Sequence, residues 1–164
     1  MPYKGEIGFA RLTNLMMNIF IGLVLGLTFL FVANDVSTTS TQELAIGFLQ
    51  AFVLSVCVGY AMGDIIPTLG IAQKVCDALG LQSGFIRHLV TSLILSLVNV
   101  TVILYLCMFI NIVKEGGFGV VCQVVVQLWP IAIAAGFLGI ACTLKLAMAI
   151  ASRLSGFDPS MASG

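Results

Sequence analysis

The sequence predicts an all-α membrane protein in which four transmembrane helices form two parallel-oriented tandem helical hairpins. Of its 164 residues, 60% are hydrophobic and 9% are charged, whereas a soluble domain carries about 25% charged residues. Four stretches contain no Asp, Glu, Lys or Arg at all. Two halves of the chain also resemble each other. With so few charges, most of the surface is expected to face lipid.

The charge-free stretches are residues 12–34, 44–63, 88–113 and 116–144. Each is long enough to cross a bilayer, which takes about 20 apolar residues. Lys4 and Arg11 precede the first stretch as they would in a signal peptide, but a cleavable apolar region is only about 7 to 15 residues long. We therefore expect a retained first helix.

The connections carry helix and turn signals. Ser40 and Glu43 have the spacing of a capping box, which predicts that the second helix begins there. Residues 68–79 mix apolar residues with Lys74 and Asp77, a pattern that predicts a helical extension at the membrane interface. Residues 114–119 are glycine-rich and predict a tight reversal, and residues 157–164 predict a disordered tail.

Basic residues predict the orientation. With four helices, six of the seven basic residues fall on one side of the membrane, and Lys114 lies alone on the other. By the positive-inside rule both termini are expected in the cytoplasm, in a bacterial inner membrane. The six are Lys4, Arg11, Lys74, Arg87, Lys145 and Arg153.

An internal repeat divides the chain into a first hairpin (residues 1–84) and a second (residues 85–156). Arg11-Leu12 opens one half and Arg87-His88-Leu89 opens the other. Two crossings per half leave both hairpins pointing the same way, so the repeat is parallel rather than inverted.

Small or polar residues in the first helix of each half, and an aromatic or proline step in the second, suggest a family. In the first half these residues are Asn18, Gly22 and Gly26, followed by Pro67 in the second helix. In the second half they are Ser92 and Ser96, followed by Trp129-Pro130. On these residues the unit resembles an uncharacterised bacterial two-helix membrane domain, of the domain-of-unknown-function type, in tandem. It is more distantly similar to proton-coupled efflux proteins built from bacterial transmembrane-pair domains. Their first-helix glutamate has no counterpart here.

Two helix faces are candidates for a cavity or for helix packing. In the first helix, small and polar residues recur every fourth position, and in the third helix polar residues share a face. Packing is the preferred interpretation, because such residues join membrane helices. If both faces pointed inward, they would instead form an uncharged polar centre. The residues are Asn14, Asn18, Gly22 and Gly26, with Ser92, Ser96 and Asn99.

Asp64 is the candidate coupling residue, and Pro67 the candidate gate beside it. Counted from residue 41, Asp64 lies about 34 Å along the helix, past a hydrocarbon core about 30 Å thick. We expect an interfacial acid near Lys74 or Arg87, with proton coupling as the alternative. Pro67 predicts a kink if the helix continues.

Trp129 and Pro130 are further cavity or packing candidates. Trp129 lies about 15 Å into the fourth helix, too deep for an interfacial aromatic belt. Pro130 leaves the carbonyl group of Val126 without its helical donor, which can shape packing or create a hinge.

Other chemistry has little support. The five cysteines are scattered and His88 is the only histidine, so we expect no metal, cofactor or catalytic residue, and no enzyme. The net charge of +0 gives no reason to expect nucleic acid as a partner.

The leading hypothesis is a transporter-like bundle that moves a small uncharged or aromatic molecule and assembles with itself, as a dimer, in the lipid bilayer. The alternative is a structural, lipid-binding or accessory membrane protein that does not transport.

Overall fold

The structure, a computed structural model, describes residues 4–33, 40–82 and 84–157. Within these ranges the chain folds into helices and turns, with no β-strand. The helices are α1 (Gly5–Ala33), α2 (Thr41–Ile65), α3 (Thr68–Ala78), α4 (Phe85–Leu95), a π-helical turn (Ser96–Val100) and α5 (Thr101–Ser155).

Four of the helical stretches are long and apolar enough to cross a membrane: Gly5–Phe31, Thr41–Ile65, Phe85–Asn111 and Gly116–Ser155. They are called the first to fourth spans below. The prediction of an all-α, multi-pass membrane protein is confirmed. The helices are longer than the charge-free stretches, because they continue through charged residues such as Glu6 and Lys145.

The helix ends follow local chemistry. The capping box is present, since Ser40 Oγ accepts from the Glu43 amide and the Glu43 carboxylate accepts from the Ser40 amide. The second span ends at Ile65, and Ile66 is extended (φ −111°, ψ 109°) because the ring of Pro67 disfavours helical backbone before it. The helix predicted over residues 68–79 is present as α3, which begins anew after this break; its position at the membrane interface stays a prediction.

The chain reverses inside α5 at Gly117. Its backbone (φ 69°, ψ −179°) is not helical and interrupts what is otherwise continuous helix. Glycine adopts this positive φ without the clash that a Cβ atom would cause. The predicted glycine-rich reversal is therefore present. Residues 158–164 of the predicted tail and residues 34–39 of the first connection lie outside the described residues.

Neighbouring spans run antiparallel and pack in a closed cycle. The first and third spans each contact the second and the fourth, so the second and fourth lie on opposite sides of the bundle. One contact from each interface illustrates this order: Asn18 with Gly59, Ser55 with Cys107, Ser96 with Ile133, and Val24 with Gly139.

The core is contributed unevenly. Ile21 and Leu25 of the first span, Leu104 of the third and Ile140 of the fourth are at most 1% exposed. From the second span only Ser55 and Gly59 are buried. The second span therefore presents most of its surface outward.

The end where the first span begins and the second span ends is called the basic end. Arg11, Arg87, Lys145 and Arg153 all lie in the halves of their spans nearest to it. Helix α3 also lies at this end, where its apolar side covers the start of the third span. Cys76, for example, is fully buried and lies 3.4 Å from the hydroxyl oxygen of Thr91.

Candidate functional site

A cavity of about 900 Å³ opens at the basic end of the bundle. All four spans and α3 contribute to its wall, and the wall is mixed in character, with charged, amide and apolar groups. The residues that matter for its chemistry are Glu6, Arg11, Thr13, Asn14, Asp64, Arg87 and Asn99, with Met17, Leu95, Leu144 and Phe157 among the apolar ones.

The break between α2 and α3 forms one side of the cavity. Because Pro67 cannot continue the helix, the chain turns at Ile66, and the segment from Gly63 to Gly70 lies along the cavity wall. The predicted kink is thus a full break between two helices. This break separates α3 from α2.

Arg11 and Asp64 face each other across the cavity wall. Arg11 Nε lies 3.9 Å from Asp64 Oδ1, and the two side chains are 42% and 41% exposed. Asp64 therefore pairs with Arg11 rather than with Lys74 or Arg87, the expected partners. Its exposure agrees with the expectation of an acid at the edge of the span.

Arg87 is engaged elsewhere. It lies 2.8 Å from the Asp77 carboxylate and donates to the carbonyl oxygen of Leu81 at 2.6 Å. These bonds fix the turn between α3 and the third span. Arg87 still lines the cavity.

An asparagine pair leads from the cavity into the first hairpin. Asn14 lines the cavity and donates through Nδ2 to the carbonyl oxygen of Tyr60 at 3.1 Å. Asn18 donates to Asn14 Oδ1 and to the Asn14 carbonyl oxygen, each at 2.8 Å. The opposing positions are Gly63 and Gly59, where an added Cβ would overlap Asn14 and Asn18 respectively. The asparagines therefore occupy space that only glycine leaves open.

Beyond Asn18 the first hairpin closes. A Cβ added at Gly22 would lie 3.1 Å from a methyl group of Val56, and one at Gly26 would lie 2.9 Å from the ring of Phe48. At these glycines the two helix backbones lie close together, and apolar side chains of the second span pack against them. They form packing contacts and do not line the cavity.

The third span reaches the cavity through its π-helical turn. Asn99 lies in this turn and lines the cavity, while Ser96, in the same turn, is fully buried and donates to the Ile133 carbonyl oxygen at 3.0 Å. A π-helical turn inside an α-helix is rare and is frequent at functional sites. No residue pattern in this stretch marks the turn, so it could not be predicted from the sequence.

The two polar faces do not join into one centre. Within the described residues no hydrogen bond links Asn14 or Asn18 to Ser92 or Ser96; each face packs inside its own hairpin instead. Of the seven predicted face residues, only Asn14 and Asn99 line the cavity.

In the part of the chain that the structure describes, three buried polar atoms have no hydrogen-bond partner: Thr13 Oγ1, Asn18 Oδ1 and Ser92 Oγ. Thr13 is 3% exposed and lies in the cavity wall. Buried polar groups nearly always find a partner. The hydroxyl group of Thr13 is therefore an unpaired polar group beside the cavity, with its oxygen atom buried.

Trp129 and Pro130 lie away from this site, on the outer surface of the bundle. Trp129 is 38% exposed, and its indole N–H donates to Thr101 Oγ1 of the third span at 2.9 Å. The geometry fits helix packing. Pro130 is exposed and the fourth span remains helical on both sides of it.

Arg11, Thr13 and Glu6 were not among the predicted site residues. Arg11 had been used only to set the orientation, although its position at the same membrane edge as Asp64 could have suggested the pair. Thr13 carries no signal of its own, because a lone threonine in an apolar helix is ordinary.

The described residues contain no group of three or more His, Cys, Asp or Glu that could hold a metal ion. Fold and site together define a multi-pass helical membrane protein with a polar cavity open at one end of its bundle. Comparisons with protein-family models, curated proteins and solved structures find no match. The resemblance to a tandem two-helix domain stays a prediction.

Proposed function

We propose that this protein is a small-molecule transporter whose binding site is the cavity at the basic end. The cavity carries the proposal: its volume of about 900 Å³ lies at the upper end of the range of about 300 to 1,000 Å³ typical of ligand sites. Polar groups converge in it from different spans, and the buried hydroxyl group of Thr13 beside it has no partner among the described residues.

The charges in the wall indicate the class of substrate. Two acidic side chains, Glu6 and Asp64, are balanced by two basic ones, Arg11 and Arg87. A wall without net charge favours a solute without net charge, because a bound ion would find no net counter-charge there to offset its desolvation. Amide groups of Asn14 and Asn99 supply donors and acceptors, and Leu95, Leu144 and Phe157 supply apolar contact. We propose a small uncharged molecule, with aromatic ones included.

The far side of the bundle is closed by packed side chains between the first and second spans. A cavity open at one end and closed at the other is what alternating access requires of one of its two states. By the positive-inside rule the open end faces the cytoplasm of a bacterial inner membrane, and both termini lie on that side. We propose that the protein works as a homo-oligomer, since one chain offers a narrow pathway.

Flux through reconstituted vesicles tests the proposal. Radiolabelled glycerol, glycine betaine and indole serve as uncharged, zwitterionic and aromatic probes, and choline and phosphate as charged controls. At least one neutral probe should enter faster than it enters protein-free vesicles, and the charged probes should show no such increase. Asn99→Leu, which removes the amide group and narrows the cavity, should lower that flux at least about tenfold. Leu97→Ala lies in the same π-helical turn on the exposed surface, so it should leave the flux within about twofold.

The proposal fails if no probe enters faster than it enters protein-free vesicles, or if Asn99→Leu transports like the wild type. Asp64→Asn separates the mechanisms. If a proton gradient drives transport through Asp64, accumulation against a solute gradient is lost in this variant while the protein still inserts. Unchanged accumulation removes Asp64 as the coupling residue.

A structural, lipid-binding or accessory role is the second candidate. It is favoured by the second span, of which only 11% is buried in the bundle, compared with 33% of the first. Such a surface suits a protein partner as well as lipid. Gentle extraction from native membranes should then recover a stoichiometric partner, and its absence argues against this role.

A further inference from the structure

Two glutamines face outward from opposite sides of the bundle. Gln50 of the second span and Gln127 of the fourth are both exposed. At 100° per residue, Gln50 points away from the buried Ser55, and Gln127 points away from the buried Val125. Neither amide makes a hydrogen bond to another described residue.

Both amides lie at the same depth. The second and fourth spans run in the same direction from the end opposite the basic end. Gln50 lies about nine residues after Thr41 and Gln127 about eleven after Gly116, which places them about 14 Å and about 16 Å along their helices. Both positions are close to the middle of a hydrocarbon core about 30 Å thick.

An isolated bundle would leave these amides without partners in lipid. No water reaches them at that depth, so a donor and an acceptor on each side chain must be satisfied by protein. A glutamine amide carries both donors and an acceptor, and is therefore complementary to another glutamine amide. The partner that presents one at the matching depth is a second copy of this chain.

A glycine beside Gln50 supports a close approach of backbones there. Gly47 lies on the same outward face, and a Cβ added to it would meet no atom within 4 Å. No packing within the bundle therefore explains a glycine in the middle of this helix. Glycine in a membrane helix commonly marks a surface where a second helix comes close.

We propose that copies of this protein associate in the membrane by packing the second span of one copy against the fourth span of the next, with Gln50 hydrogen-bonded to Gln127. Because the two faces lie on opposite sides of the bundle, the contact is head-to-tail and continues to a third copy. This surface differs from the cavity and stands whether or not the protein transports.

Association in lipid vesicles tests the inference. Full-length copies labelled at the N-terminus with donor or acceptor dyes are diluted with lipid, and energy transfer reports association while photobleaching steps count the copies. The wild type should form assemblies of three or more copies. Gln50→Leu and Gln127→Leu should each weaken association about fivefold, the value of about one interhelical hydrogen bond. The double variant should be no weaker than either single one, since it leaves no amide unpaired.

Gln42→Leu is the matched control, because Gln42 is an exposed glutamine of the same span as Gln50 but lies one residue after Thr41, where water at the membrane surface satisfies its amide. It should change association less than about twofold. Helical content and thermal unfolding in detergent must match the wild type for every variant. A monomeric or strictly dimeric wild type overturns the inference. So does unchanged association of either single variant, or an equal loss in Gln42→Leu.

Discussion

The two hairpins use the same packing device and differ at their basic ends. In the first, Asn18 fills the space above Gly59; in the second, Ser96 lies against Gly136, where an added Cβ would be 3.2 Å from its hydroxyl oxygen. Both place a polar side chain of the entering helix on a glycine of the returning helix. Small residues let the helices approach. Ser96 itself donates across the gap to Ile133, whereas in the first hairpin the bond across the gap is made by Asn14, which donates to Tyr60.

The basic ends differ because the returning helices end differently. In the first hairpin the returning helix breaks at Pro67 and the cavity forms beside the break. In the second, the fourth span continues through Pro130, and the ring N–H of His88 donates to the Ala141 carbonyl oxygen at 2.8 Å. One hairpin is opened by its proline and the other is held closed by a histidine.

Alanine at Gly59 should produce the largest change in stability. Its Cβ would overlap Asn18, which is held by its bonds to Asn14, and would lie 3.0 Å from Ile103. We expect a loss of about 1 to 3 kcal/mol, measured by unfolding in a detergent titration. The double variant with Asn18→Ala should recover part of that loss, because it vacates the overlapped space.

Gly47→Ala is the control for Gly59→Ala. Its Cβ meets nothing within 4 Å, and alanine favours a helix over glycine by about 1 kcal/mol, so the monomer should keep or gain stability. Equal losses at the two glycines would contradict the role given to the contact between Asn18 and Gly59.

Asn14→Ala should have the next largest effect. It removes the bond to the Tyr60 carbonyl oxygen and the acceptor for Asn18. At about 0.5 to 1.5 kcal/mol for each bond, we expect a loss of about 1 to 2 kcal/mol in the same titration. Asn14→Ala also widens the cavity, so its effect on flux and its effect on stability are measured separately. A loss below that of Ser96→Ala would contradict the pairing of the asparagines.

Much of this fold could be predicted from the sequence, because charge is costly in lipid. The charge-free stretches place all four spans, and Ser40 with Glu43 places a helix start. The residues of the cavity were harder to predict. Asn14, Asn18 and Asn99 look alike in sequence, and their different placements depend on which glycine lies opposite and on the π-helical turn. Those are properties of paired helices, which periodicity along one helix does not specify.

Ser96→Ala tests the second hairpin with a smaller change. It removes the hydrogen bond that Ser96 Oγ donates to the Ile133 carbonyl oxygen of the fourth span. We expect a loss of about 0.5 to 1 kcal/mol, measured as for Asn14→Ala. Thr143→Ala is a matched hydroxyl control, since Thr143 bonds only to Gly139 in its own helix, and it should change stability by less than about 0.5 kcal/mol. If Ser96→Ala and Thr143→Ala lower stability equally, the hydrogen bond from Ser96 to Ile133 does not stabilise the second hairpin.

Arg11→Gln should have the smallest effect on stability. It tests most directly whether the cavity beside the break at Pro67 has a role in transport. The pair with Asp64 is long, and both side chains are about two-fifths exposed, so solvent screens it and its loss should cost less than about 0.5 kcal/mol. The charge balance of the cavity would nevertheless change, since one of the two basic groups in its wall is removed. If the cavity binds a neutral solute, flux should fall while the unfolding transition stays in place. Arg87→Gln, which breaks a 2.8 Å ion pair and a bond to Leu81, should instead lower stability. If Arg11→Gln lowers stability without changing flux, the ion pair between Arg11 and Asp64 stabilises the fold beside Pro67 and has no role in transport.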